Sequence, residues 1–192
     1  MSALAICGLV WTVWWLSWVA LAFQTKKTLQ RESLASRLSY TVFAFAAVWF
    51  LFLSRHLRGS WGTAVLPDWP WIRWLGVGIT LLGFAVTYWA RWTLGRNWSG
   101  NVTVKVGHEL IRTGPYRFVR HPIYTGIMIA AAGTAIALNQ RRGIIAFVLL
   151  WISFTLKRLK EEEFMRQTFG AQYVEYARTT GAIFPLLPRR DG

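Results

Sequence analysis

The sequence predicts an all-α, polytopic membrane protein with about five transmembrane helices. Three observations carry that reading. Hydrophobic residues make up 54% of the 192 residues and charged residues only 16%, against about 25% charged in an average soluble domain. Thirteen residues are Trp, which is more apolar surface than one soluble core of this size can hide. The Lys and Arg residues fall in the gaps between long apolar runs, as they do in loops that flank a bilayer. Disorder is excluded by the same composition. A disulfide scaffold is excluded because Cys7 is the single cysteine, which also rules out a Cys-rich metal site.

The hydrocarbon core of a bilayer asks for roughly 20 mainly apolar residues per helix. Leu4 to Phe23 is the first such run and carries no charge. No Lys or Arg precedes it, and it is longer than a signal-peptide core, so it reads as a retained helix. Leu38 to Leu53 is the second, extending a few residues at each end. Trp71 to Leu94 is the third, with Arg73 near its start and Arg91 near its end. Pro122 to Leu138 is the fourth and is uncharged. Ile144 to Leu156 is the fifth, short enough that it must run on into Lys157 and beyond or tilt. Residues 139–143 between the last two allow only a tight turn, so these helices form an antiparallel hairpin. Gly126, Ala130 and Thr134, with Gly133 and Ala137 one position round, form a small-residue stripe of the kind that lets helices approach closely.

Charge sets the threading. The net charge is +14, but the cations form no continuous stripe, which argues against nucleic acid and for anionic lipid headgroups. Seventeen of the 22 Lys and Arg residues fall in the segments after runs one, three and five. The positive-inside rule then places the N-terminus outside and the C-terminus in the cytoplasm. Asn97-Trp98-Ser99 and Asn101-Val102-Thr103 match the glycosylation pattern but fall inside on this topology. The chain divides into residues 1–94, holding helices one to three, and residues 95–192, holding the helical hairpin and a cytoplasmic C-terminal helix.

Polar side chains concentrate in two segments, 95–121 and 157–192, which the hairpin brings to the same face. A polar pocket at the membrane surface would be lined by both. Lys157 and Glu161 stand four residues apart, as do Arg158 and Glu162, so each pair shares a helix face. Glu163 completes an acidic triplet. Met165, Phe169, Tyr173 and Tyr176 repeat at helical spacing and are expected along the membrane surface, with Gly170 interrupting the helix. Pro122 suits a first helical position, which puts His121 at a helix start, where anions are favoured. The sequence has no G-x-G-x-x-G, Walker A, G-x-S-x-G or H-E-x-x-H motif. His56, His108 and His121 lack metal-ligand spacing, so no metal is expected.

The stretch from Gly107 to Tyr116, GHELIRTGPY, then Arg120 to Gly126, RHPIYTG, closely resembles the isoprenylcysteine carboxyl methyltransferase family. Glu161-Glu162, Phe169 to Tyr176 and Pro185 match the end of the same pattern. The resemblance spans about residues 97–188. Membrane phospholipid N-methyltransferases are similar in this half, and sterol reductases, which use NADPH, more distantly so. The resemblance implies an integral membrane enzyme using S-adenosylmethionine, with a cytoplasmic C-terminal cofactor pocket and no Rossmann fold. Carried onto this chain, the cofactor contacts are His108, Glu109, Leu110, Ile111, Tyr116, His121, Pro122, Ile123, Tyr124 and Glu161, with Asn101 where the family often has an amide. Lys157, Arg158, Glu161 and Glu162 stand at the catalytic positions. The family has Arg four residues before its first Glu, and here that position is Lys157, with Arg158 adjacent; which cation meets the substrate stays open.

The residues agree with that chemistry. Methyl transfer from a sulfonium is an in-line displacement that needs alignment and exclusion of water. A carboxylate acceptor needs a cation, Lys157 or Arg158, and no general base. Glu161 can serve the cofactor's positive groups and His121 its carboxylate. The expected acceptor is the carboxylate of an isoprenylated cysteine or a similar lipid-borne acid, as a small molecule or a peptide, entering sideways from the bilayer. N-methylation of a phospholipid amine is the rival reaction, and it needs a base. A non-catalytic membrane packing or docking protein is the rival from another class. The chain has no C-terminal prenylation box of its own. Its membrane is the inner or plasma membrane in a bacterium and the endoplasmic reticulum in a eukaryote.

Overall fold

The computed structural model describes residues 1–23, 28–54, 59–98, 103–105 and 109–186. Six α-helices carry the architecture: α1 Ala3–Ala22, α2 Leu34–Val48, α3 Pro70–Leu94, α4 Pro122–Leu138, α5 Arg141–Phe169 and α6 Ala171–Thr179. Ser2 and Ser33 cap α1 and α2, each hydroxyl accepting the backbone N–H three residues on. α2 runs on into a π-helical turn, Trp49–Leu53. α3 and α4 each begin with a proline at the first turn, where its missing N–H costs nothing.

α1, α2 with its π turn, and α3 are each long and apolar enough to cross a membrane. α4 is apolar but has 17 residues. α5 has 29 residues, about 44 Å at 1.5 Å per residue, so the short fifth run does continue as helix past Lys157. Its C-terminal end, from Lys157 on, extends beyond the apolar run. On α3 the exposed pairs Trp71/Trp74 and Trp89/Trp92 lie about 27 Å apart along the axis. That separation matches two interfacial aromatic belts around a hydrocarbon core of roughly 30 Å.

The small-residue stripe of α4 faces α3, a partner the sequence pattern did not name. A Cβ on Gly83 would lie 2.4 Å from Ala130 N, and one on Gly76 2.5 Å from Ala137 N. Gly126 and Gly133 meet α3 as closely from the other side. Backbone therefore touches backbone over most of this antiparallel pair. Threonines fill the seam: Thr80 Oγ1 lies 3.2 Å from Thr134 Oγ1, and both reach the Ala130 carbonyl. α1 closes over it, Trp11 Nε1 donating to Thr134 at 2.9 Å and Trp14 Nε1 to Thr87 at 2.8 Å. α5 packs on the other side of α4, and α2 packs on α5.

The two ends of the bundle are tied differently. At one end, Asn139 adopts a left-handed conformation between α4 and α5. Its side chain bonds Leu66 N and O at 2.8 and 3.0 Å, strapping the α2–α3 connection across the turn. At the other end a two-stranded antiparallel ribbon joins β1 Thr28–Arg31 to β2 Thr103–Lys105, a small addition to the all-α expectation. Arg91 holds the carbonyls of Gly95 and Leu21 at 2.6 and 2.8 Å, and so binds the last turns of α3 and α1 together. The chain after α6 returns beside α4: Arg120 N and His121 N donate to the Gly181 and Ala182 carbonyls at 2.8 and 3.0 Å.

Gly170, at φ +52°, breaks α5 from α6 as the sequence suggests. The aromatic stripe that follows does not lie on the membrane surface. Tyr173 and Tyr176 are 2% and 5% exposed. Tyr176 donates to the Tyr116 carbonyl at 2.6 Å, and the Arg112 guanidinium covers its ring. Bonding this phenol to a buried backbone acceptor satisfies it better than the interface does, so α6 folds inward.

Candidate active site

The polar cluster forms where α4 begins and α5 leaves the membrane. Pro122 starts α4, so His121 stands at its N-cap and the preceding turn delivers Arg120 and Tyr116. On α5, at 100° per residue, Lys157 and Glu161 fall on one side and Arg158 and Glu162 on the next.

Glu162, 3% exposed, is the hub. It accepts from Arg120 Nη2 at 3.0 Å, pairs with His121 Nε2 at 3.2 Å and Arg158 Nη1 at 3.4 Å, and has Arg166 Nη2 at 3.6 Å. Arg120 also donates to the carbonyls of Ala177 and Thr180, which ties the end of α6 to the hub. Burial resists the Glu162 charge, but the His121 and Arg120 contacts win and hold its pKa at about 2.

Glu161 is the hub's neighbour toward the membrane. It accepts from the Tyr124 hydroxyl at 2.5 Å and lies 3.5 Å from His121 Nδ1. Burial again resists; the His121 hydrogen bond and the Lys157 charge prevail and lower its pKa. His121 is thus gripped on both ring nitrogens. Burial disfavours its imidazolium, yet the hydrogen bonds and charges of Glu161 and Glu162 outweigh that and raise its pKa. Its ring stacks on Tyr124 at 5.3 Å, and Tyr124 on Phe154 at 4.6 Å. Tyr116 is buried nearby, and burial followed by the Glu161 charge raises its pKa.

The two candidate cations separate. Arg158 joins the Glu162 hub, and its buried Nε has no hydrogen-bond partner. Lys157 turns to α2 instead: its Nζ lies 5.7 Å from the Tyr40 ring centre and 5.4 Å from that of Tyr124. Glu163 points to solvent, bonded to Gln167 and near Arg166.

The structure therefore brings Tyr116, His121, Tyr124, Lys157, Arg158, Glu161 and Glu162 together. Pro122 and Ile123 set the start of α4. Glu109 is exposed, and Leu110 and Ile111 are half-buried in irregular chain before the Tyr116 turn. Asn101 and His108 lie outside the described residues. The expectation that His121 offers itself to an outside carboxylate does not fit the geometry, because both of its nitrogens are engaged by the glutamates. Three participants carried no signal strong enough to single out. Arg120 stood beside His121 in the motif but had no assigned partner. Arg166 reads as an ordinary helix cation. Tyr40 sits inside an apolar run.

Comparison with known proteins places this geometry. The model of the isoprenylcysteine carboxyl methyltransferase family matches residues 75–167. A probable protein-S-isoprenylcysteine O-methyltransferase of Oryza sativa subsp. indica is 30% identical over 172 residues, 88% of this chain and 87% of the relative. Protein-S-isoprenylcysteine O-methyltransferase B of Arabidopsis thaliana is 33% identical over 120 residues, 61% of each chain. Among solved structures, the eukaryotic intramembrane Ras methyltransferase ICMT superposes with a TM-score of 0.60 at 25% identity, covering 77% of this chain. This chain spans about half of that one, 52%.

Proposed function

The chain belongs to the isoprenylcysteine carboxyl methyltransferase family, and from that premise we propose that it methylates the carboxylate of an isoprenylated cysteine with S-adenosylmethionine as donor. The observation that carries the choice of acceptor is the state of the possible bases. Among the described residues of the site, both ring nitrogens of His121 are engaged by glutamates, and Glu161 and Glu162 are both held below the ordinary carboxylate pKa. None is suited to take a proton from an ammonium acceptor at neutral pH. A carboxylate acceptor has no proton to lose. It needs a cation, and the site supplies two.

The residues suit a zwitterionic sulfonium cofactor. Bound S-adenosylmethionine supplies an electrophilic methyl group on a positively charged sulfur. Glu161 is the acid that meets the cofactor's positive groups, held ready by Tyr124 and His121. The Arg158 Nε, buried and without a hydrogen-bond partner, would donate to its carboxylate, and this supports giving Arg158 the role first expected of His121. Tyr116 closes the same side. Lys157, on the α2-facing side, holds the acceptor carboxylate as a point charge. Glu162 touches neither ligand; with Arg120 it locks α4, α5 and α6 in register. The bundle excludes water from the nucleophile, which strengthens both charge contacts.

The integral membrane setting lets the acceptor's isoprenoid tail stay in the bilayer while its head reaches Lys157. On the charge distribution the N-terminus lies outside and the site in the cytoplasm, with residues 1–94 as the membrane frame and 95–192 as the catalytic half. The test is incubation with methyl-labelled cofactor and a panel of farnesylated cysteine carboxylates and phospholipid amines. Base-labile label released as methanol from the carboxylates is the expected result. Base-stable label on the amines would replace this reading with N-methylation.

A further inference from the structure

Lys157 carries a compact ammonium on a flexible four-carbon stem, without the planar fork of an arginine, so something must aim it. Its contacts come from an unexpected direction. α2, outside the stretch matched by the family model, contributes Tyr40, so that the ammonium has two ring faces near it, Tyr40 at 5.7 Å and Tyr124 at 5.4 Å. Both rings are pinned by acids: the Tyr124 hydroxyl donates to Glu161 and the Tyr40 hydroxyl to Glu32. Glu32 is itself held by the Ser36 hydroxyl at 2.9 Å. Tyr40 is 6% exposed. Its backbone carbonyl accepts from Ser153 Oγ at 2.8 Å, and Ser153 lies one turn before Lys157 on α5. The α2–α5 contact is thus fixed by the Tyr40 backbone, which leaves the side chain to act on the lysine.

Resting on the carboxylate reading above, we propose that Tyr40 is a positioning residue for Lys157, forming with Tyr124 an aromatic clamp that aims the ammonium at the acceptor carboxylate. A ring face attracts a cation without neutralising it, so the charge of Lys157 stays effective toward an anion. The Glu161 charge, four residues on along the same face, also acts on the ammonium, and the rings steer it without adding a further negative charge.

The test uses the full chain in lipid nanodiscs with Tyr40→Leu, Tyr40→Phe, Lys157→Met and the Tyr40→Leu/Lys157→Met double variant. The first readout needs no substrate: the rate at which Lys157 takes an amine-selective label, followed by peptide mass spectrometry against exposed Lys160. Tyr40→Leu should raise that ratio about fivefold or more, and Tyr40→Phe, which keeps the ring face, should restore most of the protection. An unchanged ratio in Tyr40→Leu overturns the clamp. The second readout is steady-state methylation. Tyr40→Leu should raise KM for a farnesylated cysteine carboxylate about tenfold with cofactor affinity unchanged, and the double variant should lose no more than Lys157→Met alone. Losses that multiply, or a parallel loss of cofactor affinity, would show that Tyr40 acts elsewhere. If the parent transfers no methyl to any carboxylate, the functional reading fails by itself, and labelling of Lys157 still decides whether the clamp exists.

Discussion

His121 Nε2 lies 3.2 Å from Glu162 Oε1, and this pair joins the start of α4 to the C-terminal part of α5. The other ring nitrogen faces Glu161, so one imidazole ring stands between two adjacent acids that would otherwise repel. The hub is closed by Arg120, which carries the contact on to α6. Breaking a buried pair by removing one partner leaves uncompensated charge, at a cost of about 3–5 kcal/mol. Glu162→Gln should therefore lower thermal stability of the lobe formed by the start of α4, the end of α5 and α6, and abolish binding and turnover together, read by calorimetry and cofactor titration.

The same pair predicts a bounded pH range. Glu162 has its pKa lowered to about 2. Its contribution is present above its unfolded pKa, about 4.3, and is lost as pH falls from there toward 2. His121 has its pKa raised. Its contribution is fully present below its unfolded pKa, about 6.5, and fades as pH rises through the higher folded value. The cluster should be most stable between roughly pH 4.5 and 6.5. Hydrogen exchange in residues 158–176 across pH 3–9 checks this, and His121→Gln should remove the alkaline limb.

Glu161 and Glu163 should behave differently. Glu161→Gln removes charge-assisted hydrogen bonds worth about 1.5–3 kcal/mol, so cofactor affinity should fall roughly ten- to a hundredfold. Glu163, with 57% of its side chain exposed, should tolerate Gln with little change. Equal behaviour of the two in cofactor titration would reduce the acidic triplet to a solvated face.

The two cations should separate kinetically. Lys157→Met should cut turnover at least tenfold, about 1.4 kcal/mol of transition-state stabilisation, with cofactor affinity spared. Lys157→Arg should keep part of the activity, because the charge remains. Arg158→Met should instead weaken cofactor binding, by about tenfold for one lost charged hydrogen bond. If only Arg158→Met slows acceptor turnover, Arg158 is the acceptor cation.

In the membrane, Gly83→Ala places a methyl group 2.4 Å from Ala130 N, and backbone cannot step aside. The α3–α4 pair must separate, at about 1–3 kcal/mol. Gly78→Ala, on the same helix with nothing within 4 Å, is the matched control and should be neutral. Thermal unfolding in detergent compares them. For orientation, a cysteine at exposed Arg141 should react with an external impermeant reagent, and one at Glu163 should not.

The sequence by itself determined the membrane class, the positions of the apolar helices, the hairpin and the stock of side chains at the site. These follow from length, composition and local spacing, which one chain segment carries alone. RHP before run four and the paired glutamates after run five were visible as motifs for the same reason. Only the tertiary structure decided which face met which. The small-residue stripe of α4 could have packed on α5, yet it meets the glycines of α3, because close approach needs a missing side chain on both partners. Tyr176 turned inward because Tyr116 offers a backbone acceptor that no periodicity records. His121 became a bridge between acids, and Tyr40 entered the site from an apolar run in the other half of the chain. Such assignments depend on distances between residues far apart in sequence, and those distances are set by helix packing.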